Sequence, residues 1–308
     1  MNKFKKQIMK YFIACAFSIA VVESMLDSTF DNVVFPRFED NIVVAHILLG
    51  IYFLLIIAIF VLFAALFYRL TNIAIKKESN RQLNKQNMIY SCIAHDLKTP
   101  MTSIQGFAAA LREERIKEEE QKEIFDIIYN KSCYMNGLVE SLFTYSKLNT
   151  NDCQLSYGKM DLAMLVREVV ALNYDEFEKK EICLGLEIPE EPIWCLLDEK
   201  EIKRAINNLV INAYMHNENG AKVMIQVKRQ EKYVYIIIAD NGKTISKEQE
   251  QNIFEPFVSG NDARSSGEGN GLGLAISQII IEKHEGKLYI TNNIRDYTKG
   301  FVVQLQSV

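Results

Sequence analysis

The sequence predicts a multidomain chain: two transmembrane α-helices, an α-helical hairpin, and a C-terminal α+β two-layer sandwich. Three observations predict it. Residues 43–68 form an uncharged apolar run, two stretches through Ile89–Leu111 and Ile124–Tyr145 place apolar residues at helical spacing, and from about Gln154 strand-like runs alternate with helices. The 308 residues suffice for about two soluble domains plus a further segment.

Charge and cysteine usage remove several classes of function. A formal net charge of -4 and a pI near 5.7 offer no basic surface for nucleic acid. Cys15, Cys92, Cys133, Cys153, Cys183 and Cys195 are scattered, with no C-x-x-C pair and no His at ligand spacing. A zinc site or disulfide framework is not expected, and reduced cytosolic thiols are.

The membrane part comes first, as residues 1–70. Residues 43–68 read VVAHILLGIYFLLIIAIFVLFAALFY, which at about 1.5 Å per residue crosses a hydrocarbon layer of roughly 30 Å with tilt. The first span, about residues 8–26, has a shorter unbroken core from Tyr11 to Val22, so Lys10 and Glu23 must reach toward the interfaces. A cleaved signal peptide is the alternative there, though no A-x-A-like site is evident. Lys3, Lys5, Lys6 and Lys10 precede this span, and Arg69, Lys76, Lys77 and Arg81 follow the second; the turn between carries Asp27, Asp31, Glu39 and Asp40 against Arg37 alone. Positive charge at both ends predicts a multi-pass protein of the cell membrane with both termini cytoplasmic. About 16 residues then stay outside, too few to bury a core, so no extracytoplasmic ligand-binding domain is expected.

Residues 71–86 are polar and free of Gly and Pro, and read as a helical linker. In the helix that follows, Ile89, Ile93, Leu97, Met101, Ile104, Ala108 and Leu111 share one arc, whereas His95 and Thr99 point out of the opposite side. An exposed imidazole flanked by a carboxylate, Asp96, suits a reactive group that something else must reach. The helix is expected to run to about Ile116 with a bend at Pro100. After a charged connector, Ile124, Ile128, Met135, Leu138, Leu142 and Tyr145 fit a heptad interrupted by Lys131. Two such helices bury one seam each, which predicts a homodimer whose hairpins form a dimeric four-helix bundle.

The C-terminal pattern predicts a helix over 161–180, strands at 181–188 and 193–197, and a helix over 199–216. Strands at 222–229 and 233–239, a loop-rich stretch, a helix over about 272–283 and strands at 287–291 and 301–305 complete it. Three local patterns carry chemistry. Asn208 and Asn212 lie four apart on one helical face, and amide oxygens are hard ligands suited to Mg2+. Asp240-Asn241-Gly242 ends the strand YVYIIIA, where a carboxylate can accept from a base amino group and a glycine permits close approach. Gly267-Glu-Gly269-Asn-Gly271-Leu272-Gly273 opens a helix whose unpaired N–H groups face negative charge. Singly, the first two also fit a solvated helix face and an ordinary turn. A dinucleotide-binding reading fails, because no βαβ unit of the required order surrounds the glycines.

The order His95-Asp96-Leu-Lys-Thr99-Pro100, Asn208-x-x-x-Asn212, Asp240-x-Gly242, Phe254-x-x-Phe257 and Gly269-x-Gly271-Leu272-Gly273 resembles the H, N, G1, F and G2 boxes of bacterial membrane sensor histidine kinases. The resemblance covers about residues 85–308. It implies a dimerisation and histidine phosphoacceptor domain over 87–152 and a catalytic domain of the Bergerat (GHKL) ATP-binding fold over 153–308. It further implies ATP with Mg2+, phosphorylation of His95, and transfer to an aspartate of a cognate response regulator. By the same resemblance Asp96 would be the general base, and Thr99 would serve dephosphorylation of the regulator. Asn212, with Asn208 nearby, would hold Mg2+, and Asp240 with Gly242 would read adenine. His216, Phe257, Arg264, Gly269, Gly271, Leu272 and Gly273 would complete the nucleotide site, the glycines as a mobile lid.

The match departs at three positions. Thr244 stands where the G1 box has a second glycine, Met215 where the N box has a basic residue, and Ser259 where an Arg often follows the F box, leaving Arg264 as the nearest lid cation. Weaker phosphate contacts are expected. No full HAMP relay fits between Tyr68 and His95, so coupling is expected along a nearly continuous helix. With the minimal outer loop this resembles the intramembrane-sensing kinases, often found beside an ABC transporter. Two alternatives stay open: a weak kinase acting mainly as a regulator phosphatase, and a catalytically silent membrane adaptor. An ATP-hydrolysing clamp sharing the nucleotide fold ranks last, having no need for His95 on a paired helix.

Overall fold

The computed structural model describes residues 2–38, 42–150, 153–258, 271–294 and 296–308. They belong to two compact units, Met1–Tyr90 and Ser91–Val308, whose boundary falls inside one long helix.

In the first unit, α1 (Asn2–Thr29) leads through a π-helical turn (Phe30–Val34) and a short α2 (Phe35–Phe38) into α3 (Ile42–Arg112). Two stretches are long and apolar enough to cross a membrane, Ile8–Asn32 with mean hydropathy 1.6 and the one that begins at His46 with mean hydropathy 3.1. They lie antiparallel, since Phe12 meets Phe67 edge-on at 6.1 Å while Tyr52 meets Phe30 at 4.7 Å. The Tyr52 hydroxyl donates to the Asp27 carboxylate. Helices suit such a place because each satisfies its own backbone.

α3 continues from the apolar stretch through the polar linker to His95 and beyond. It stops at Arg112, short of Ile116, and Glu114 takes a φ of 53°. The helix passes through Pro100. Around it the hydroxyls of Thr99, Thr102 and Ser103 bond back to the carbonyls of His95, Lys98 and Thr99, next to the ladder bond that proline cannot make. In the second unit α4 (Glu118–Asn149) opens on three glutamates, which suit the positive end of a helix. Its predicted stripe is the shielded one: Leu138 is buried, and Ile124, Ile128, Met135, Leu142 and Tyr145 are half-buried.

The rest of this unit is a helix layer on a sheet. In chain order it comprises β1 (Gly158–Asp161), α5 (Leu162–Leu172), α6 (Tyr174–Lys179), β2 (Cys183–Glu187), β3 (Trp194–Leu197), α7 (Glu199–Met215), β4 (Lys222–Gln230), β5 (Tyr233–Asp240), α8 (Lys247–Asn252), α9 (Gly273–Lys283), β6 (Lys287–Ile294) and β7 (Tyr297–Gln306). Five strands form a mixed sheet in the order β2-β4-β5-β7-β6, and β1 pairs with β3 apart from it. β2 runs parallel to β4, and the other pairings are antiparallel. Strand alternation sends Val223, Ile225, Val227, Val234, Ile236, Ile238, Phe301, Val303 and Leu305 to one face, all buried. A smaller cluster of Met224, Ile237, Ala239 and Val302 fills the other face beneath Tyr235, Ile294 and Tyr297. By the same alternation Asp240 and Lys299 share the first face, directly opposite each other in register.

The observed elements differ from the expected ones as follows. The helix expected over 161–180 is two helices, because the buried Asn173 turns its amide to Val169 O and Asn207 Oδ1 and breaks the run. Asp161 is a cap, accepting from the N–H groups of Ala163 and Ile193, and β1 precedes it. The loop-rich stretch contains α8, held by a capping box between Ser246 and Gln249. β7 begins at Tyr297, four residues before the apolar alternation starts.

Candidate functional site

His95 occupies the exposed face of α3. Its side chain is 78% exposed, and Nδ1 lies 3.1 Å from Oδ1 of Asp96, itself 19% exposed. A carboxylate beside Nδ1 favours the tautomer protonated there, which leaves the Nε2 lone pair facing solvent. Thr99, one turn on, is exposed, and its hydroxyl donates to the His95 carbonyl at 3.3 Å. The heptad reading passed over Tyr134 on α4. Its phenol pKa is raised, first by burial and then by the negative charge of Asp96, so the second helix contributes a neighbour to the acidic residue.

The described residues of these patterns fall in two groups. In the first, Asp240 ends β5 and is 2% exposed. Its Oδ1 accepts from Lys299 Nζ at 2.8 Å and from the Gly242 N–H at 2.9 Å. Lys299 also donates to Lys243 O at 2.9 Å, and the Thr298 hydroxyl lies within hydrogen-bond reach of Asp240 O at 3.0 Å and Gly242 O at 2.6 Å. A side chain at Gly242 would force Asn217 to move, since an added Cβ would lie 1.9 Å from its Oδ1. Lys299, Thr298 and Asn217 were missed by sequence reasoning. The register that sets Lys299 against Asp240 is a long-range fact with no local signal.

In the second group α7 and α9 are tied together. Asn208 Nδ2 donates to Gly273 O at 3.1 Å, and the Ser277 hydroxyl donates to Ala205 O at 3.0 Å. Asn208 thereby touches the first residue of the glycine-led helix. Asn212 is half-buried one turn later, and His216 is the exposed C-cap of α7. Leu272 is fully buried as the residue before α9. Phe257 is 3% exposed, and its N–H donates to Gly271 O at 2.9 Å. Arg264, Gly269 and Ser259 lie outside the described residues. Thr244 is exposed, and Met215 is half-buried with its carbonyl accepting from Lys180 Nζ at 3.3 Å.

The donor chemistry can be tested against a magnesium ion. Among the described residues no group of three or more His, Cys, Asp or Glu side chains could hold a metal. A cation bound beside these residues would be carried chiefly by phosphate oxygens and waters, with neutral amide oxygens such as those of Asn208 and Asn212 completing its shell. Asn208 commits its amide nitrogen to Gly273 O, which leaves its amide oxygen as the atom able to accept or ligate.

Comparison with known proteins identifies two domains. Residues 88–151 match the His Kinase A (phospho-acceptor) domain, and residues 197–307 match the histidine kinase-, DNA gyrase B- and HSP90-like ATPase domain. The chain is 34% identical over 199 residues to the sensor protein GtcS of Aneurinibacillus migulanus, covering 64% of this chain and 53% of that one. It is 25% identical over 247 residues to the sensor histidine kinase YcbM of Bacillus subtilis, covering 77% and 79%. The chain thus spans about half the length of GtcS. Among solved structures, histidine kinase AdeS of Acinetobacter baumannii aligns with a TM-score of 0.56 at 25% identity, over 69% of this chain and 97% of that one. Histidine kinase ThkA, in complex with the response regulator protein TrrA, aligns with a TM-score of 0.60 at 25% identity, over 76% and 65%. With a phospho-acceptor hairpin followed by a GHKL-type ATPase sandwich, this chain belongs to the two-component sensor histidine kinases.

Proposed function

We propose that this chain is a membrane-anchored, homodimeric protein-histidine kinase. It moves the γ-phosphoryl group of ATP onto His95 and then to an aspartate of a response regulator. The observation that carries the reading is the exposed imidazole whose Nδ1 rests on Asp96. With the Nδ1 hydrogen pointed at Asp96, Nε2 offers its lone pair to the γ-phosphorus. As the N–P bond forms, the bond to the β-phosphate oxygen breaks and ADP leaves; Asp96 takes the Nδ1 proton as general base.

The remaining residues position and neutralise. Asp240 and Gly242 receive the base, and the N-terminus of α9 at Leu272 and Gly273 faces the phosphates. Phe257, Gly271 and His216 border them, and Arg264 and Gly269 are assigned there by the family pattern. Mg2+, held by Asn212 with Asn208, would neutralise charge on the transferring group.

The second copy is supported by α4. Phe125, Tyr129, Val139 and Phe143 are 57%, 69%, 52% and 72% exposed, and they repeat two heptads apart, as a seam for a partner helix would. The two apolar stretches support a two-span anchor with both termini cytoplasmic, following the flanking lysines and arginines. The complex of ThkA with TrrA supports a response regulator as acceptor.

Incubating the full chain with Mg2+ and radiolabelled ATP tests the proposal. Acid-labile label is expected on the wild type and none on His95→Gln. Label on neither, with Mg·ATP still bound, favours the phosphatase reading, and no nucleotide binding favours the silent adaptor.

A further inference from the structure

The cytoplasmic end of the membrane hairpin gathers positive charge. Lys6 and Lys10 stand on α1, Arg69, Lys76, Lys77 and Arg81 stand on α3, and all six are exposed. Among the described residues none of their side chains has an acidic partner. Glu78 is the one acid within residues 1–10 and 69–81, although the chain as a whole has a formal net charge of -4. This end is therefore positive against the trend of the molecule.

The register of the two helices sets the height of each cation. Phe12 meets Phe67 at 6.1 Å, and two residues farther along these antiparallel helices come Lys10 and Arg69, which are therefore level. At about 1.5 Å per residue, Lys6 lies roughly 6 Å beyond that level, Lys76 and Lys77 about 10–12 Å and Arg81 about 18 Å. Tyr68 ends the apolar run, so the headgroup layer begins near Arg69. That layer is about 5–7 Å thick on each side, the difference between about 40–45 Å of bilayer and about 30 Å of hydrocarbon. Lys10, Arg69 and Lys6 fall within it. Lys76 and Lys77 fall within a further Debye length of about 8 Å, and Arg81 falls outside.

Direction discriminates between partners. Two residues turn a helix by about 200°, so Lys10 points away from the side of α1 that carries Phe12, and Arg69 away from the side of α3 that carries Phe67. The two cations face opposite ways. A macromolecule docked on one side of the hairpin would meet one of them, whereas a layer that surrounds the hairpin meets both.

We propose that this basic collar binds the anionic phospholipid headgroups of the cytoplasmic leaflet, whose phosphates stand in for the missing acidic partners. The inference rests on the reading of the two apolar stretches as membrane spans. Arg69 can hold a phosphate through two N–H groups, while Lys6 and Lys10 act as point charges. Held in this way, α3 leaves the bilayer at a fixed height.

The test reconstitutes the full chain in phosphatidylcholine vesicles with a trace of spin-labelled phosphatidylglycerol or spin-labelled phosphatidylcholine. Electron paramagnetic resonance then measures the share of each label slowed at the protein surface. A cation beside an anionic headgroup favours it about fivefold, and with half of the contacted lipid in the outer leaflet the wild type should prefer phosphatidylglycerol about two- to threefold. The preference should vanish in about 1 M salt, where the Debye length shrinks to about 3 Å. Lys10→Gln with Arg69→Gln should remove at least half of it, Arg81→Gln should leave it unchanged, and the charge-keeping pair Lys10→Arg with Arg69→Lys should retain it. No preference in the wild type, a preference that survives salt, or its loss in the charge-keeping pair overturns the proposal. So does an Arg81→Gln loss as large as that of the neutralised pair, which would point to a partner in solution. An alkaline carbonate wash separates the two levels. A chain stripped from the vesicles removes the spans and the lipid site together, whereas a chain that stays in the bilayer without preference removes the lipid site alone.

Discussion

Gly271 packs against the backbone of Phe257: a Cβ on Gly271 would come within 2.9 Å of the Phe257 Cα, while the Phe257 N–H donates to the Gly271 carbonyl at 2.9 Å. Both residues hold positive φ, 62° at Phe257 and 61° at Gly271. A buried aromatic kept in the left-handed region is strained, and the strain persists only where the surroundings over-determine it. Here the close contact with Gly271 is one such determinant. Gly271→Ala is predicted to clash and to strain the backbone at once, costing about 1–3 kcal/mol. Melting of the purified chain should fall by several degrees, and ATP affinity should fall at least tenfold. An alanine variant with wild-type melting and affinity would show the contact to be incidental.

Lys299 and Asp240 face each other across β7 and β5, 9% and 2% exposed, at 2.8 Å. Removing one member of a buried pair leaves the other charge without compensation, at about 3–5 kcal/mol. Lys299→Met is therefore predicted to destabilise the second unit strongly, and Lys299→Met with Asp240→Asn to recover a substantial part of the loss. A double-variant cycle by urea unfolding measures the coupling. Simple additivity would mean that the two charges do not depend on each other.

The contrast between His95 and Lys299 explains what was legible in the sequence. His95, Asp96 and Thr99 are set by spacing along one helix, so 100° per residue was enough to place them. The same spacing put Asn208 and Asn212 on one face of α7, whereas the glycines before α9 were assigned through the family resemblance. Lys299 falls in Tyr-Thr-Lys-Gly, which reads as a polar turn, and a lysine becomes a core residue there only because β7 aligns it with Asp240. Asn173 reads as a neutral helix residue until Asn207, far along the chain, accepts its amide. α8 was available locally, since Ser-Lys-Glu-Gln is a capping box, and was passed over for want of apolar periodicity. Local geometry follows from local sequence, whereas cross-strand partners need the sheet order first.

Asp96 is predicted to matter through proton transfer more than through binding. Asp96→Asn keeps a hydrogen-bonding group beside Nδ1 but cannot take its proton, so phosphorylation of His95 should slow about 10²- to 10⁴-fold with ATP affinity little changed. Single-turnover labelling at saturating ATP, set against equilibrium nucleotide binding, makes the distinction. A variant that loses affinity and rate together would place Asp96 among the residues that hold the domains or the fold.

Acid sensitivity should come from a residue far from the chemistry. His284 closes α9, is 6% exposed, and accepts the Asp198 N–H at Nε2 at 3.0 Å while its Nδ1 lies 2.8 Å from Ile280 O. This pattern needs the neutral ring with hydrogen on Nδ1. Burial lowers its pKa below the ordinary 6.5, opposed by the Ile280 carbonyl and then by the charges of Asp198 and Glu201. The unfolded chain therefore takes up a proton near 6.5 while the folded one still resists. The stability this residue contributes is fully present above that pH, falls as pH drops toward the folded pKa, and levels off below it. The limiting slope for one such proton is about 1.4 kcal/mol per pH unit. Asp198 also caps α7 through the Glu201 N–H and accepts the Ser156 N–H, so charging His284 would loosen the start of α7 and the connection after α4 together. Urea unfolding between pH 7.5 and 5, followed by the single tryptophan Trp194, should show a difference between wild type and His284→Gln that shrinks as pH falls. A difference that stays constant over that range would mean that the folded ring titrates as it does in the unfolded chain.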